Sequence, residues 1–305
     1  MELFNPNSNI DFMGARKWTA LLSAVIFILS ITALCTHGLK WGLDFTGGTQ
    51  VEVSYPGSAD LPAIRADLSR SGFKDAQVIS YGTSHDVLIS ISPDAKLDQS
   101  LLVERLMQAL PGAKKQQVEF VGPHVGKELA MKGAIAIIVA LLATMLYIAL
   151  RFEFHLAVSS AVALIHDPVL VLGVFAFFGI DFDLKALAGL LAVIGYSLND
   201  TIVVFDRVRE NFIHLRRSSA LEIMNCSINQ TLSRTIMTSA LTLCVVVSLF
   251  LYGGESMHGF SLALILGIIV GTYSSIYVAG AMAVAIGLEK KHFSKRKKSV
   301  TDDRP

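Results

Sequence analysis

The chain has 305 residues, of which 52% are hydrophobic and only 17% charged, with a mean hydropathy of +0.55 and a net charge of +1. Soluble domains carry about 25% charged residues, so the composition excludes an ordinary soluble enzyme and makes the bilayer the expected solvent. The charge balance leaves no footprint for nucleic acid, and three scattered cysteines (Cys35, Cys226, Cys244) argue against a disulfide framework or a zinc site.

Residues 1–17 form a short polar start ending in Arg16 and Lys17, followed by a first apolar run at 18–36. It is long enough to cross a bilayer, and Leu34-Cys-Thr-His37 is not a small-residue cleavage site. A retained anchor is expected rather than a removed signal. Residues 37–130 then shift to the composition of a folded domain outside the membrane. Alternation predicts a strand at 49–54, and helical spacing at 61–69 stops at Ser71-Gly72. Strands at 77–81 and 87–92 flank Gly82-Thr-Ser84 as a hairpin. An amphipathic helix at 97–110 and a last strand at 117–121 complete the order β-α-β-β-α-β. That order predicts a small ferredoxin-like α+β domain, a fold that does not choose a function. No catalytic constellation is visible in it, and His85 beside Asp86 reads as a solvated pair.

Five more apolar runs follow, at 131–150, 156–178, 186–206, 235–252 and 260–288. Between the fourth and fifth spans lies a polar connection, 207–234, where Ser219-Ala-Leu-Glu222 reads as a capping box. It predicts a helix lying at the interface before the chain turns inward. Residues 289–305 form a basic tail. Lys and Arg fall on one side throughout: Arg16 and Lys17, Arg151, Arg207, Arg209, Arg216 and Arg217, then Lys290 to Lys298. The positive-inside rule therefore places both termini in the cytoplasm and the long domain on the opposite side.

Ionisable residues inside a span are costly and mark function by default. Asp200 lies about seven residues inside Arg207, roughly 10 Å from that end of its helix. Tyr196 and Ser197 sit one turn earlier, placed to hydrogen-bond the carboxylate or hand it a proton. The plainer alternative is that Asp200 glues helices together, a task that Asn or Ser performs without a charge. Arg234, in the polar run entering the fifth span, is the expected partner, with a snorkelling interfacial cation as its alternative. A buried carboxylate shared between an arginine and a proton is a proton switch. His166-Asp167-Pro168 interrupts the third span, and Asp167 is a second relay candidate ranked below Asp200. Asp206 and Glu153, at span ends, read as interfacial charges. In the sixth span Ala263, Gly267, Gly271, Ser275, Ala279, Ala283 and Gly287 recur every four residues, a spacing that suits close helix packing. Gly47-Gly48 lacks the Lys-Ser/Thr of a phosphate loop, so any work is expected to draw on an ion gradient or a partner.

Several stretches resemble the SecD/SecF family of the bacterial Sec preprotein translocase, within the RND superfamily. They are Gly42-Leu-Asp-Phe-Thr-Gly-Gly48, Gly122-Pro-His-Val-Gly126, the run from Val193 to Asn211 and Asn229-Gln-Thr-Leu-Ser-Arg-Thr235. Gly253-Gly254 and Gly271-Thr-Tyr-Ser-Ser275 add to them, and the pattern from Asn199 to Asn211 is similar to SecF members rather than SecD. The chain departs from that pattern at Pro168 and at Leu241-Thr-Leu243. The resemblance implies six transmembrane helices in an RND-type arrangement with a periplasmic domain, in the cell inner membrane. It implies SecD as heteromeric partner, usually with YajC, docked on the SecYEG channel, with a translocating preprotein as substrate. It further implies an accessory role late in export, driven by protons rather than by a bound cofactor, with no enzymatic reaction. Asp200 and Arg234 match the positions that the family uses for proton conduction. The competing expectations are a small-molecule or lipid exporter subunit of the same superfamily and a passive scaffold.

Overall fold

The structure, a computed structural model, describes residues 10–92, 99–215 and 218–289. The start of the expected helix at 97–98, Arg216, Arg217 and the basic tail beyond 289 lie outside the described residues. In chain order the elements are α1 (Arg16–Thr36), β1 (Lys40–Trp41), α2 (Leu43–Thr46), β2 (Gly48–Ser54), α3 (Leu61–Arg70), β3 (Gln77–Tyr81) and β4 (Thr83–Ile91). There follow α4 (Gln99–Ala109), β5 (Lys114–Val121), α5 (Pro123–Arg151), α6 (Phe154–Phe178), β6 (Asp181–Phe182), α7 (Leu184–His214) and α8 (Ala220–Tyr252). The chain ends in α9 (His258–Tyr273), a π-helical turn (Ser274–Ala279) and α10 (Gly280–Ala285).

Six of these helical stretches are long and apolar enough to cross a membrane: α1, α5, α6, α7, α8 and the continuous run from α9 to α10. About half of the apolar stretch is buried in α6, α7 and the sixth span (56%, 50% and 44%), against 17%, 11% and 17% in α1, α5 and α8. The bundle therefore has three inner helices and three that show their apolar faces outward, as helices solvated by lipid do. Its core joins Leu156, Ile194, Phe205, Phe212 and Ile228 across α6, α7 and α8.

Helix ends follow local chemistry. α5 starts at Pro123, earlier than the apolar run at 131–150, because proline at the first helical position lacks only a hydrogen bond it would not make. Ser219 and Glu222 cap α8 reciprocally. From there the helix runs unbroken to Tyr252, so residues 220–234 of the expected connection lie in the same helix as the fifth span, with no inward turn between them. No Gly or Pro lies between Ala220 and Tyr252 to kink it.

Outside the bundle, four antiparallel strands are ordered β3-β4-β2-β5. Alternation turns Val51 and Val53 of β2 inward beside Val78, Val87 and Ile89, where they meet Ile64 and Leu68 of α3 and Leu106 and Leu110 of α4. The domain is clasped to the bundle at Gly47 and Gly48. Both have positive φ (73° and 134°), and a Cβ on Gly48 would lie 2.5 Å from the Ile91 carbonyl oxygen, while one on Gly47 would lie 2.9 Å from Pro123 Cα. Beside this clasp, β1 pairs in parallel with β6, and the Asp44 carboxylate accepts a hydrogen bond from the Leu184 amide at 3.0 Å, at the start of α7.

The stripe of small residues lets α9 lie directly on α7. A Cβ on Gly189 would come 2.7 Å from the Phe260 carbonyl oxygen, one on Gly271 would come 3.0 Å from Ser197 Cβ, and one on Gly267 would overlap Val193. Ser275 and Ala279 continue the stripe as buried residues of the π-helical turn. Gly287 lies past α10, with φ 87°.

Candidate functional site

Where α7 passes between its neighbours it carries two buried polar groups on successive turns, and each reaches a different cluster. Asp200 is 2% exposed. Its Oδ2 is approached by the Ser239 hydroxyl of α8 at 3.5 Å, the outer limit of a hydrogen bond. Ser239 also accepts from the Tyr196 hydroxyl (3.1 Å) and contacts Thr272 Oγ1 of α9 (2.8 Å). The Thr272 hydroxyl donates to the Ile268 carbonyl (2.8 Å), so Ser239 has one proton to place, on Thr272 or on Asp200. The shorter contact takes it, and Asp200 is left weakly held.

Arg234 is exposed on α8, and neither it nor Asp200 takes part in an ion pair among the described residues. Arg234 and Asp200 thus share a pair of packed helices without touching. One turn before Ser239, Thr235 is buried, and its hydroxyl oxygen has no hydrogen-bond partner among the described residues.

Ser197 does not serve Asp200. Its hydroxyl donates a short hydrogen bond to Oδ2 of Asp167 on α6. The Ser274 hydroxyl, the first residue of the π-helical turn, donates to the same oxygen at 2.7 Å. The other oxygen, Oδ1, lies 2.9 Å from His166 Nδ1, and His166 Nε2 lies 2.7 Å from Ser23 Oγ on α1. Asp167 is fully buried, and four of the six spans meet around it.

Tyr196 and Asp200 therefore join through Ser239, Ser197 joins Asp167, and Arg234 lies near enough for its charge to act on Asp200 without forming an ion pair among the described residues. Ser239 and Ser23 were not singled out by the sequence, Thr272 and Ser274 entered only within a quoted motif, and His166 only as the neighbour of Asp167. Hydroxyl residues in spans are poor signals, because most bond back to their own helix. Thr238 does so to Arg234, Thr242 to Thr238 and Ser248 to Cys244. His166 had a signal, its adjacency to Asp167 inside an apolar run. Asp206 pairs with Arg151 at 2.8 Å at the bundle end, as an interfacial charge would.

A separate cleft of about 790 Å³ lies between the open face of the sheet and the outer ends of α7 and α9. Glu52, Glu119, Asp183, Lys185 and His258 are among its lining residues. Burial, and then the nearby Asp44 charge, push the Asp183 carboxyl above its ordinary value, opposed by the hydrogen bond it accepts from the Ala186 amide (2.7 Å). Among the described residues no group of His, Cys, Asp and Glu is arranged to hold a metal ion.

Comparison with known proteins accounts for this architecture. Residues 103–289 match the family model described as protein export membrane protein SecD/SecF, C-terminal, and residues 32–55 match the SecD/SecF GG motif. The protein translocase subunit SecF of Vibrio alginolyticus is 45% identical over 296 residues, covering 95% of this chain and 94% of that protein. SecF of Pseudomonas aeruginosa is 42% identical, with 97% and 98% covered. The crystal structure of SecDF from Thermus thermophilus, a translocon-associated membrane protein, superposes with a TM-score of 0.85 at 36% identity. It covers 93% of this chain, which spans 39% of the SecDF chain. The super-membrane-facing form of SecDF gives a TM-score of 0.70. With its helical membrane bundle and its glycine clasp matched along nearly the whole chain, the protein belongs to the SecD/SecF family of protein export membrane proteins, among the SecF translocase subunits.

Proposed function

We propose that this chain pairs with a SecD subunit, and with YajC, on the SecYEG channel, and that the pair uses the proton motive force to draw preproteins out late in export. In this reading it lies in the inner membrane with both termini cytoplasmic, its six spans in an RND-type arrangement. The domain at 37–130 is a ferredoxin-like unit on the periplasmic side. The protein holds no cofactor and catalyses no covalent reaction; the proton is its coupling ion.

The observation that carries this is Asp200, a carboxylate in the middle of a membrane bundle with one hydroxyl at 3.5 Å and no ion pair among the described residues. A purely structural carboxylate in hydrocarbon would be expected to be saturated with donors. An under-bonded one changes its interactions most when it gains or loses a proton. Protonated Asp200 becomes a donor with nothing to repel, and Ser239 can stay with Thr272. Ionised Asp200 competes for the Ser239 proton and favours the approach of Arg234. Each state prefers a different packing of α7, α8 and α9, and the clasp at Asp44 joins the outer end of α7 to the exterior domain. Because all of α7 is one helix, a shift at Asp200 is carried to that clasp.

The test is the processing rate of a pulse-labelled periplasmic preprotein in cells whose only copy carries Asp200→Asn. Precursor accumulation is expected, with the variant present at normal levels. Unchanged processing would support a scaffold or an exporter instead.

A further inference from the structure

The Asp200 cluster leaves the most buried acid of the bundle unused. Asp167 is fully buried, and its Oδ2 is saturated by Ser197 and Ser274. Its Oδ1 faces an imidazole, and that imidazole is turned toward α1, where it meets the Ser23 hydroxyl at Nε2 and stacks on the Phe27 ring at 5.7 Å and 8°. We propose that His166 and Asp167 form a second proton-binding site, loaded as an imidazolium–carboxylate pair and read out by α1 through Ser23. This deepens the function proposed above and rests on it for the choice of the proton as coupling ion.

The hydrogen-bond inventory defines two states that differ by one proton. In the unloaded state Nδ1–H donates to Asp167 Oδ1, and the Ser23 hydroxyl donates to the bare Nε2. The site then holds one net negative charge with no cation in its hydrogen-bond shell. In the loaded state the incoming proton sits on Nε2, which donates to Ser23 Oγ, and the site is a neutral pair. Neither state strands a ring nitrogen, and no heavy atom has to move between them. A buried pair of opposite charges is held far more readily than a single buried charge.

The only group obliged to respond is the Ser23 hydroxyl. Once Nε2 becomes a donor, the serine proton needs another acceptor. A helical serine finds one at the carbonyl four residues back, here Thr19. That carbonyl already accepts from the Tyr273 hydroxyl of α9 at 2.8 Å. Loading the dyad thus sets Ser23 and Tyr273 in competition for one oxygen at the contact between the first and sixth spans. α1 leads out to β1, whose Lys40 pairs with Asp181 of β6, so a shift of α1 reaches the junction with the exterior domain.

Other titratable groups on the helices packed here are few. α7 brings Asp200 and Tyr196, which belong to the Ser239 cluster. The sixth span brings Tyr273 and Tyr277, and α5 has Tyr147 but no charged residue between Lys132 and Arg151. On α1 the charged groups, Arg16 and Lys17, lie at the far end, with Cys35 exposed at the other. None of them is hydrogen-bonded to His166 or Asp167 among the described contacts.

The experiment is solid-state nitrogen NMR of the full chain in lipid nanodiscs, with ring-labelled histidine. Eight histidines contribute, and the His166→Gln spectrum identifies the His166 signals by subtraction. In the wild type the His166 ring is expected to be singly protonated at the alkaline end of a pH series and doubly protonated at its acid end. Asp167→Asn, lacking the countercharge, is expected to lose the doubly protonated signal at the pH where the wild type shows it in full. A His166 ring that stays singly protonated across the series in the wild type overturns the proposal, and this needs no variant to fold beyond the subtraction control. A doubly protonated signal unchanged in Asp167→Asn overturns it as well. The Asp200→Asn processing assay judges proton use by the chain, and the His166 spectrum judges this site, so either can fail alone.

Discussion

Asp167 and Asp200 lie on neighbouring helices, both withdrawn from solvent, and their surroundings treat them in opposite ways. Asp167 has every oxygen engaged: two serine hydroxyls on Oδ2 and an imidazole on Oδ1, with partners drawn from α6, α7 and the sixth span. Asp200 has one hydroxyl at 3.5 Å, and that hydroxyl has a nearer partner in Thr272. A saturated carboxylate holds its helices in place and depends on them. An under-bonded one contributes little to holding the bundle, and is free to be governed by its proton.

That contrast breaks first under truncation. Asp167→Ala strands the Ser197 hydroxyl and the His166 Nδ1, each costing about 1–3 kcal/mol when left unpaired in a buried site, while the Ser274 hydroxyl keeps the Gly271 carbonyl at 3.2 Å. It is expected to be the most destabilising of these variants, read as loss of folded, monodisperse protein in detergent or as a steep fall in melting temperature. Asp167→Asn keeps one acceptor and is expected to lose less. Equal losses from Asp167→Ala and Asp200→Ala would erase the distinction between the two sites.

The next effect tests what aligns the Asp167 donors. Ser197 and Ser274 converge only because α9 lies directly on α7 at Gly267 and Gly271. In Gly267→Val the added side chain overlaps Val193, and overpacking of this kind costs about 1–3 kcal/mol. Adding Val193→Ala is expected to recover part of that loss, since the two side chains compete for the same space. Strictly additive losses in the double variant would show that the seam is not set by this contact.

Asp200→Asn is expected to melt within about 1 kcal/mol of the wild type, because it removes at most one marginal hydrogen bond. A larger loss would mean that Asp200 is structural, whatever the processing assay shows.

The smallest effect concerns the carboxylate outside the membrane. Asp183 is raised by burial and by Asp44, so the folded protein binds its proton more readily than the unfolded chain does. Its contribution to stability is fully present below the ordinary aspartate range, about pH 4, and is lost as pH rises through the higher folded value. A shallow fall in melting temperature is expected as pH rises above about 4, and a flatter profile in Asp183→Asn. Asparagine still caps the start of α7, so the baseline should survive.

Much of this protein could be read directly from its residues. Apolar runs near the bilayer length mark six crossings, because a span must satisfy its backbone internally and show hydrocarbon outward. Alternation at 49–54 and turn residues at 82–84 mark the strands, and Ser219 with Glu222 marks the start of α8, since caps and pleats are local matters. Asp200 and Asp167 stand out as costly charges in apolar company. What no local rule could settle is which hydroxyl meets which carboxylate. Ser197 is as close in sequence to Asp200 as a helical neighbour can be, yet its Oγ points to Asp167 across the helix pair, and Asp200 is reached by Ser239 from α8. The unbroken course of α8 was equally unreadable, and for Arg234 the sequence left two placements open, partner of Asp200 or snorkelling cation. Those choices depend on the rotation of each helix about its axis, and that rotation is set by the packing of α7 against α9 and α6, where residues distant in sequence first come into contact.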